Sequence, residues 1–164
     1  MRVGQGYDIH PLAPGRPLVL AGVTVPHDAG LQGDSDADVA LHAVMDALLG
    51  AVGAGDLGSR FPKERVAPGV SSAFLTRAVM GEVRSRGLHV VNVDVTIIAE
   101  APRLIGYRDA MLQSLAALLE TEAVSVKFKT GDGLGVVGRQ EGVAALAVVL
   151  LDGELDSVKR PPVP

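Results

Sequence analysis

The chain has 164 residues, 15 basic against 19 acidic side chains, 48% hydrophobic content and no cysteine. That length suits one domain with a core able to fold unaided, and the missing cysteine excludes disulfides, thiolate metal sites and a cysteine nucleophile. A net charge of −4 with 3% aromatic residues argues against general nucleic-acid binding or a base-stacking platform. Met1-Arg2-Val3-Gly4 lacks the apolar stretch of a signal peptide, and the longest apolar run, residues 143–151, is too short to span a bilayer. A soluble cytoplasmic protein is the expectation.

Residues 2–10 alternate as a strand does, which sets Asp8 and His10 on one face. Residues 17–25 read as a second strand, interrupted at Gly22, and residues 30–34 as a loop. Ser35-Asp36-Ala37-Asp38 has the form of a helix-start box; the helix is expected to reach about Val52 and stop in the glycine cluster at 53–58. A loop rich in proline and charge covers 61–69, and Ser71 or Ser72 caps a second helix ending near Gly87. Residues 89–99 read as a strand, and Pro102 opens a third helix to about Glu120. Residues 124–129 form a strand, 130–139 a glycine-rich loop and 143–151 the last strand. This order predicts an α+β fold: a single domain, residues 1–152, on a mostly four-stranded mixed sheet covered by helices on one face. Residues 153–164, which end Pro-Pro-Val-Pro, are expected to form a flexible tail.

Three groups of residues are able to carry chemistry. Asp8, His10 and His42 supply one carboxylate and two imidazoles, a set that suits Zn²⁺ with a fourth position open. Spacing alone leaves the plainer reading standing, a turn-capping aspartate and two ordinary histidines. Around His42 lie the acids Asp34, Asp36, Asp38 and Asp46; Asp38, His42 and Asp46 follow at i+4 on one helix face, and a carboxylate there would orient the imidazole, the alternative for Asp36 and Asp46 being a solvated acidic helix start. In the loop at 130–139, glycines would let backbone N–H groups approach a phosphate, with Arg139 adding charge. Gly133, Gly135 and Gly138 satisfy G-x-G-x-x-G, but too little chain remains for a dinucleotide fold.

Taken together, Gly4-Gln5-Gly6-Tyr7-Asp8-Ile9-His10, Ser35-Asp36-Ala37-Asp38-Val39-Ala40-Leu41-His42-Ala43 and Asp46-Ala47-Leu48-Leu49-Gly50-Ala51 resemble the 2-C-methyl-D-erythritol 2,4-cyclodiphosphate synthase family. So do Gly55-Asp56-Leu57-Gly58, Phe61-Pro62, residues 92–102 and Gly138-Arg139-Gln140-Glu141-Gly142; the match runs from residue 1 to about 151, in order and at family spacing. The resemblance implies a phosphorus–oxygen lyase of non-mevalonate isoprenoid synthesis. It would cyclise 4-diphosphocytidyl-2-C-methyl-D-erythritol 2-phosphate with release of CMP, as a homotrimer with active sites between adjacent subunits and with no nucleic-acid or membrane partner. The other readings are a metal-dependent nucleotide phosphohydrolase and a non-catalytic trimeric scaffold for an isoprenoid diphosphate.

The resemblance also implies residue roles. Asp8, His10 and His42 would bind one Zn²⁺ per subunit, and Asp132 would serve Mg²⁺ or Mn²⁺ at the diphosphate. Asp8, Ile9, His10, Asp34 and Ser35 would touch substrate, with Asp56, Leu57 and Gly58 at its ribose and erythritol parts. Phe61, Pro62, Lys63, Glu64 and Arg65 would line the same pocket, and Ala99, Glu100, Ala101, Pro102, Arg103, Leu104 and Ile105 would hold the cytosine, largely through backbone groups. Lys129, Thr130, Gly131, Asp132, Val136 and Arg139 would complete the substrate site, with Thr130, Asp34 and Ser35 in catalysis. The chain departs from the family pattern at Asp34 (usually histidine), Gly131 (commonly threonine), Asp132 (usually glutamate) and Val136 (a bulky aromatic). A carboxylate beside a phosphate is repulsive, so Asp34 is expected to turn away and leave the phosphate to the Ser35 hydroxyl and the N–H groups at the helix start.

Overall fold

The computed structural model describes residues 1–154. Strand β1 (Arg2–Pro14) runs antiparallel to the last strand, β7 (Gly142–Gly153). On its other side β7 pairs with β5 (Leu88–Ile98), which is joined in parallel by β6 (Val124–Lys129). The α+β expectation holds, but the sheet has five strands, in the order β4-β1-β7-β5-β6. The extra strand, β4 (Ala29–Leu31), lies in the segment expected to be a loop. It exists because β1 continues past His10 to Pro14, and Leu12, Ala13 and Pro14 give it an edge to pair with. Likewise residues 17–25 are two strands, β2 (Leu18–Leu20) and β3 (Val23–Val25), hinged at Ala21 and Gly22 with φ of 52° and 78°. β7 runs to Gly153, one residue into the expected tail; residues 155–164 of that tail lie outside the described residues.

Helix α1 (Val39–Val52) lies on β1 and is buried around most of its circumference. Gly4 and Gly6 make the approach possible. A Cβ at Gly4 would stand 1.8 Å from the Ala47 carbonyl oxygen, and one at Gly6 2.0 Å from that of Ala43. The two glycines bring the helix backbone onto the strand two residues before Asp8, and this lowers His42 onto Asp8 and His10. α1 begins at Val39, three residues later than a cap at Ser35 suggested. Its cap is Asp38, a fully buried carboxylate that accepts from Ala40 and Leu41 N–H (both 3.1 Å) and also from Ala21 (2.9 Å) and Gly22 (2.6 Å) in the β2–β3 turn. Asp38 thus already takes two of the helix-start donors, Ala40 and Leu41 N–H, which were expected to face a phosphate.

The short α2 (Leu57–Arg60) and a 3₁₀ turn (Lys63–Arg65) lead to α3 (Ser72–Ser85), which packs on α1. Pro102 does not open a helix. It follows a cis bond from Ala101, and α4 (Arg108–Leu119) begins after a 3₁₀ turn at Ile105–Tyr107. A single turn, α5 (Gly135–Gly138), interrupts the glycine-rich loop.

All the helices that build the core lie on one side of the sheet, against Val93, Val95, Ile97, Val143, Ala145, Ala147, Val149 and Leu151. The alternate residues form the other face. There Val3, Tyr7, Ile9, Leu146 and Val148 are between 37% and 68% exposed, with no layer over them among the described residues. Among the described residues no helix is long and apolar enough to cross a membrane.

Candidate active site

Alternation along β1 turns Asp8 and His10 to the helix side, and the first turn of α1 lowers His42 between them. Three ligand atoms converge: Asp8 Oδ2 is 2.8 Å from His10 Nε2 and 2.9 Å from His42 Nδ1, and the two nitrogens are 3.0 Å apart. The other Asp8 oxygen accepts the Ile9 N–H at 2.9 Å. One carboxylate oxygen and two imidazole nitrogens within a few ångström of one another form a possible metal site. Burial works to raise the Asp8 carboxyl, but hydrogen bonds and charge interactions with both histidines hold it well below the usual carboxylate range. Burial also works against a charged His10, but the bond to Asp8 outweighs it and raises the imidazole above 6.5.

Each imidazole is steered from behind. His10 Nδ1 donates to the Gln32 carbonyl at 2.9 Å, which fixes that ring. His42 Nε2 lies 3.0 Å from Ser72 Oγ and 3.2 Å from Ser35 Oγ. Neither helix carboxylate expected to orient His42 does so directly. Asp38 is consumed as the cap of α1, and Asp46 accepts the Leu57 N–H at 2.7 Å. That bond ties α2 to α1. Of the acids noted around His42, Asp36 is the one that stands behind it, through Ser72, whose hydroxyl and N–H it accepts.

A second feature lies where β5 and β6 end, two strands or more from β1. An open cleft of about 810 Å³ is lined by Ala99, Glu100, Pro102, Arg103, Leu104 and Ile105 from one side, and by Lys129, Thr130 and Asp132 from the other. Arg108, Val126, Lys127 and Phe128 complete it. Glu100 Oε2 accepts the Gly131 N–H at 3.0 Å, linking its two walls, and Thr130 Oγ1 donates to Asp132 Oδ1 at 2.7 Å. Asp8, His10 and His42 do not line this cleft.

The model of the YgbB family matches residues 1–152. The chain belongs to the YgbB family. The 2-C-methyl-D-erythritol 2,4-cyclodiphosphate synthase of Bordetella petrii is 51% identical to this YgbB chain over 153 residues, 92% of it and 94% of that protein. The synthase of Symbiobacterium thermophilum is 51% identical over 156 residues, covering 93% and 99%. A solved Plasmodium falciparum IspF structure, a CDP complex, has a TM-score of 0.82 at 31% identity and covers 93% of this chain and 96% of that one.

Within this YgbB chain the residues singled out from sequence fall into two groups. The metal cluster, Asp34, Ser35 and the Asp56–Arg65 region are tied to α1 and its approach. Asp56 caps α2 through the Ser59 N–H at 2.7 Å and, like Gly58, is exposed, while Phe61 closes α2 and packs on the core. The residues expected at 99–105 and 129–132 line the separate cleft, apart from Ala101 and Gly131. Asp34 pairs with the Lys63 ammonium, 3.1 Å off. Arg139 is engaged by Glu141 through two bonds of 2.8 and 3.0 Å, and Val136 lies half-exposed in the adjoining turn. Sequence reasoning missed Gln32, Ser72 and Arg16, whose guanidinium donates to the Ser35 carbonyl at 2.9 Å. No signal marked Gln32, which acts through its backbone; Ser72 was read only as a candidate cap.

Proposed function

We propose that the chain cyclises 4-diphosphocytidyl-2-C-methyl-D-erythritol 2-phosphate to the 2,4-cyclodiphosphate, with release of CMP. A 2-phosphate oxygen attacks the β-phosphorus, the bond from that phosphorus to the α-phosphate bridge breaks, and CMP departs with the bridging oxygen. The substrate carries its own nucleophile, so the protein's work is to fold it back on itself and offset its charge. The observation that carries the reading is the convergence of Asp8, His10 and His42 beside Ser35, at the same sheet end as a cleft large enough for a nucleoside.

Asp8, His10 and His42 would hold Zn²⁺; the donor set fits, since His10 and His42 each have their other ring nitrogen engaged by a neighbour and are free to present a lone pair inward. When bound, the ion supplies positive charge to the diphosphate oxygens. A second divalent ion, Mg²⁺ or Mn²⁺, would sit at Asp132, whose carboxylate Thr130 already orients. Ser35 Oγ accepts the Ala37 N–H at 3.0 Å, which leaves its own proton for a phosphate oxygen. Lys63 neutralises Asp34 and keeps that carboxylate off the phosphate. The cleft at residues 99–105 takes the cytosine.

The two groups of site residues lie apart on one chain, and the uncovered apolar sheet face needs a partner. Both features support a homotrimer in which the cleft of one subunit meets the metal cluster of the next. The protein is placed in the cytoplasm. CMP release measured with and without a chelator, with phosphorus NMR of the product, tests the reading. A cyclic diphosphate formed only with metal is the expected result; an acyclic phosphate would make the chain a phosphohydrolase, and ligand binding without CMP would make it a scaffold.

A further inference from the structure

Helix α2 is a single turn, closed by the Arg60 N–H on the Asp56 carbonyl at 3.0 Å and the Phe61 N–H on the Leu57 carbonyl at 2.8 Å. So short a helix does not hold itself in water, because fixing the first turn is unfavourable without outside contacts. Two carboxylates from longer helices supply them. At the start of α2, Asp46 of α1 accepts the Leu57 N–H at 2.7 Å. At its end, the Arg60 guanidinium stands 2.7 Å from Glu82 Oε2 of α3. The Glu82 side chain is 14% exposed, and Oε2 is shut off from water with no hydrogen bond among the described residues, so the Arg60 charge is what stabilises that oxygen. The other oxygen, Oε1, accepts from Arg86 Nη2 at 2.7 Å, and Arg86 Nη1 donates to the Val52 carbonyl at 2.8 Å, at the end of α1. Glu82 is thereby fixed to α1, and Arg60 to Glu82. Between the two anchors Asp56 and Gly58 stand exposed.

We propose that Arg60 and Glu82 are positioning residues for substrate binding: their ion pair fixes the end of α2 and so sets where Asp56 and Gly58 present their polar groups. This rests on the reading that Asp56 and Gly58 meet the substrate's ribose. Arg60 and Glu82 belong neither to the metal cluster nor to the lining of the cleft, so the pair acts on binding and not on the chemical step.

The test is Arg60→Ala, with Arg60→Lys as the conservative variant that keeps a cation, and Glu82→Gln, which breaks the same pair from α3. Titration of the zinc-loaded protein with CDP reads binding, steady-state CMP release separates KM from kcat, and urea unfolding reads the fold. Arg60→Ala and Glu82→Gln should each bind CDP about three- to fivefold more weakly and raise KM by the same factor, the size a half-exposed ion pair supplies, with kcat within about twofold. Arg60→Lys should recover most of the affinity. Asp56→Ala should also weaken CDP binding, and adding Arg60→Ala to it should weaken binding little further, because the pair acts through the turn that carries Asp56. Additive losses, or wild-type CDP affinity in Arg60→Ala and Glu82→Gln, would overturn the positioning role while leaving the ribose reading in place. Wild-type affinity in Asp56→Ala alone would instead remove the ribose reading, and the positioning role with it.

Discussion

At Asp34 a carboxylate stands where the family resemblance leads one to expect histidine, and the structure answers with Lys63 at 3.1 Å. On the proposed reading Lys63 keeps Asp34 off the phosphate, and Asp34 does little direct work. Asp34→Ala should therefore change kcat/KM by less than about tenfold, under ~1.4 kcal/mol of transition-state stabilisation, whereas Ser35→Ala should lose more. A thousandfold loss in Asp34→Ala with fold and zinc intact would assign Asp34 a direct role. The Asp8–His10 pair makes a second prediction. Asp8 is held down, so its contribution to the metal-free fold is present above 3.8 and lost as pH falls through its lowered value. His10 is raised, so its contribution is full below 6.5 and lost as pH rises through its raised value. The pair favours the metal-free fold most between those two limits. Metal needs both imidazoles unprotonated at their inner nitrogens, so zinc should bind at least about fourfold more weakly at pH 6 than at pH 8. Chelator competition across that range measures it, and Asp8→Asn should bring the His10 NMR titration down.

At the scale of elements, one buried carboxylate joins the β2–β3 turn to the start of α1. Removing Asp38 would leave the N–H groups of Ala21, Gly22, Ala40 and Leu41 without their acceptor, and Ala21, Ala40 and Leu41 are fully buried. Asp38→Ala is expected to destabilise the metal-free protein by about 3–5 kcal/mol in urea unfolding. Burial pushes the Asp38 carboxyl up to about 6, against the pull of the Gly22, Leu41 and Ala21 N–H bonds. A raised value means that the stability it contributes is present below 3.8 and lost as pH climbs through about 6. Asp38→Asn, which cannot ionise, should flatten that part of the stability profile. The glycines of β1 act at this scale too. Gly6→Ala would force a Cβ into the Ala43 carbonyl and push α1, with His42, away from Asp8.

For the whole molecule, the proposed trimer makes a prediction at the exposed sheet face bearing Tyr7, Ile9, Leu146 and Val148. Light scattering should report three times the chain mass of 16.9 kDa at micromolar concentration. Leu146→Glu with Val148→Glu places charges on that face, at the β7 residues opposite Tyr7 and Gln5. The double variant should be monomeric, retain zinc and lose turnover more than about a hundredfold, because the cleft and the metal cluster that complete each other would come from different subunits. A fully active monomer would sink the shared site.

Period-two alternation in β1 was enough to put Asp8 and His10 on one face, and the i+4 pattern and Gly53 were enough to lay out α1, because both signals are local. β6 and the helix of residues 72–85 were readable for the same reason. The fifth strand was not, because three residues at Ala29–Leu31 carry no periodicity and become a strand only against the far end of β1. Local pattern also misplaced the cap: Ser35 and Asp38 both fit a helix start, and the choice fell to the β2–β3 turn, whose Ala21 and Gly22 N–H groups both donate to the Asp38 carboxylate. The residue types of the metal cluster were in the sequence, but their meeting was not. His42 reaches Asp8 only because two glycines let a helix backbone rest on a strand, and Ser72 reaches His42 only because α3 packs on α1. Such encounters between distant segments are fixed by tertiary packing, which no spacing along the chain encodes.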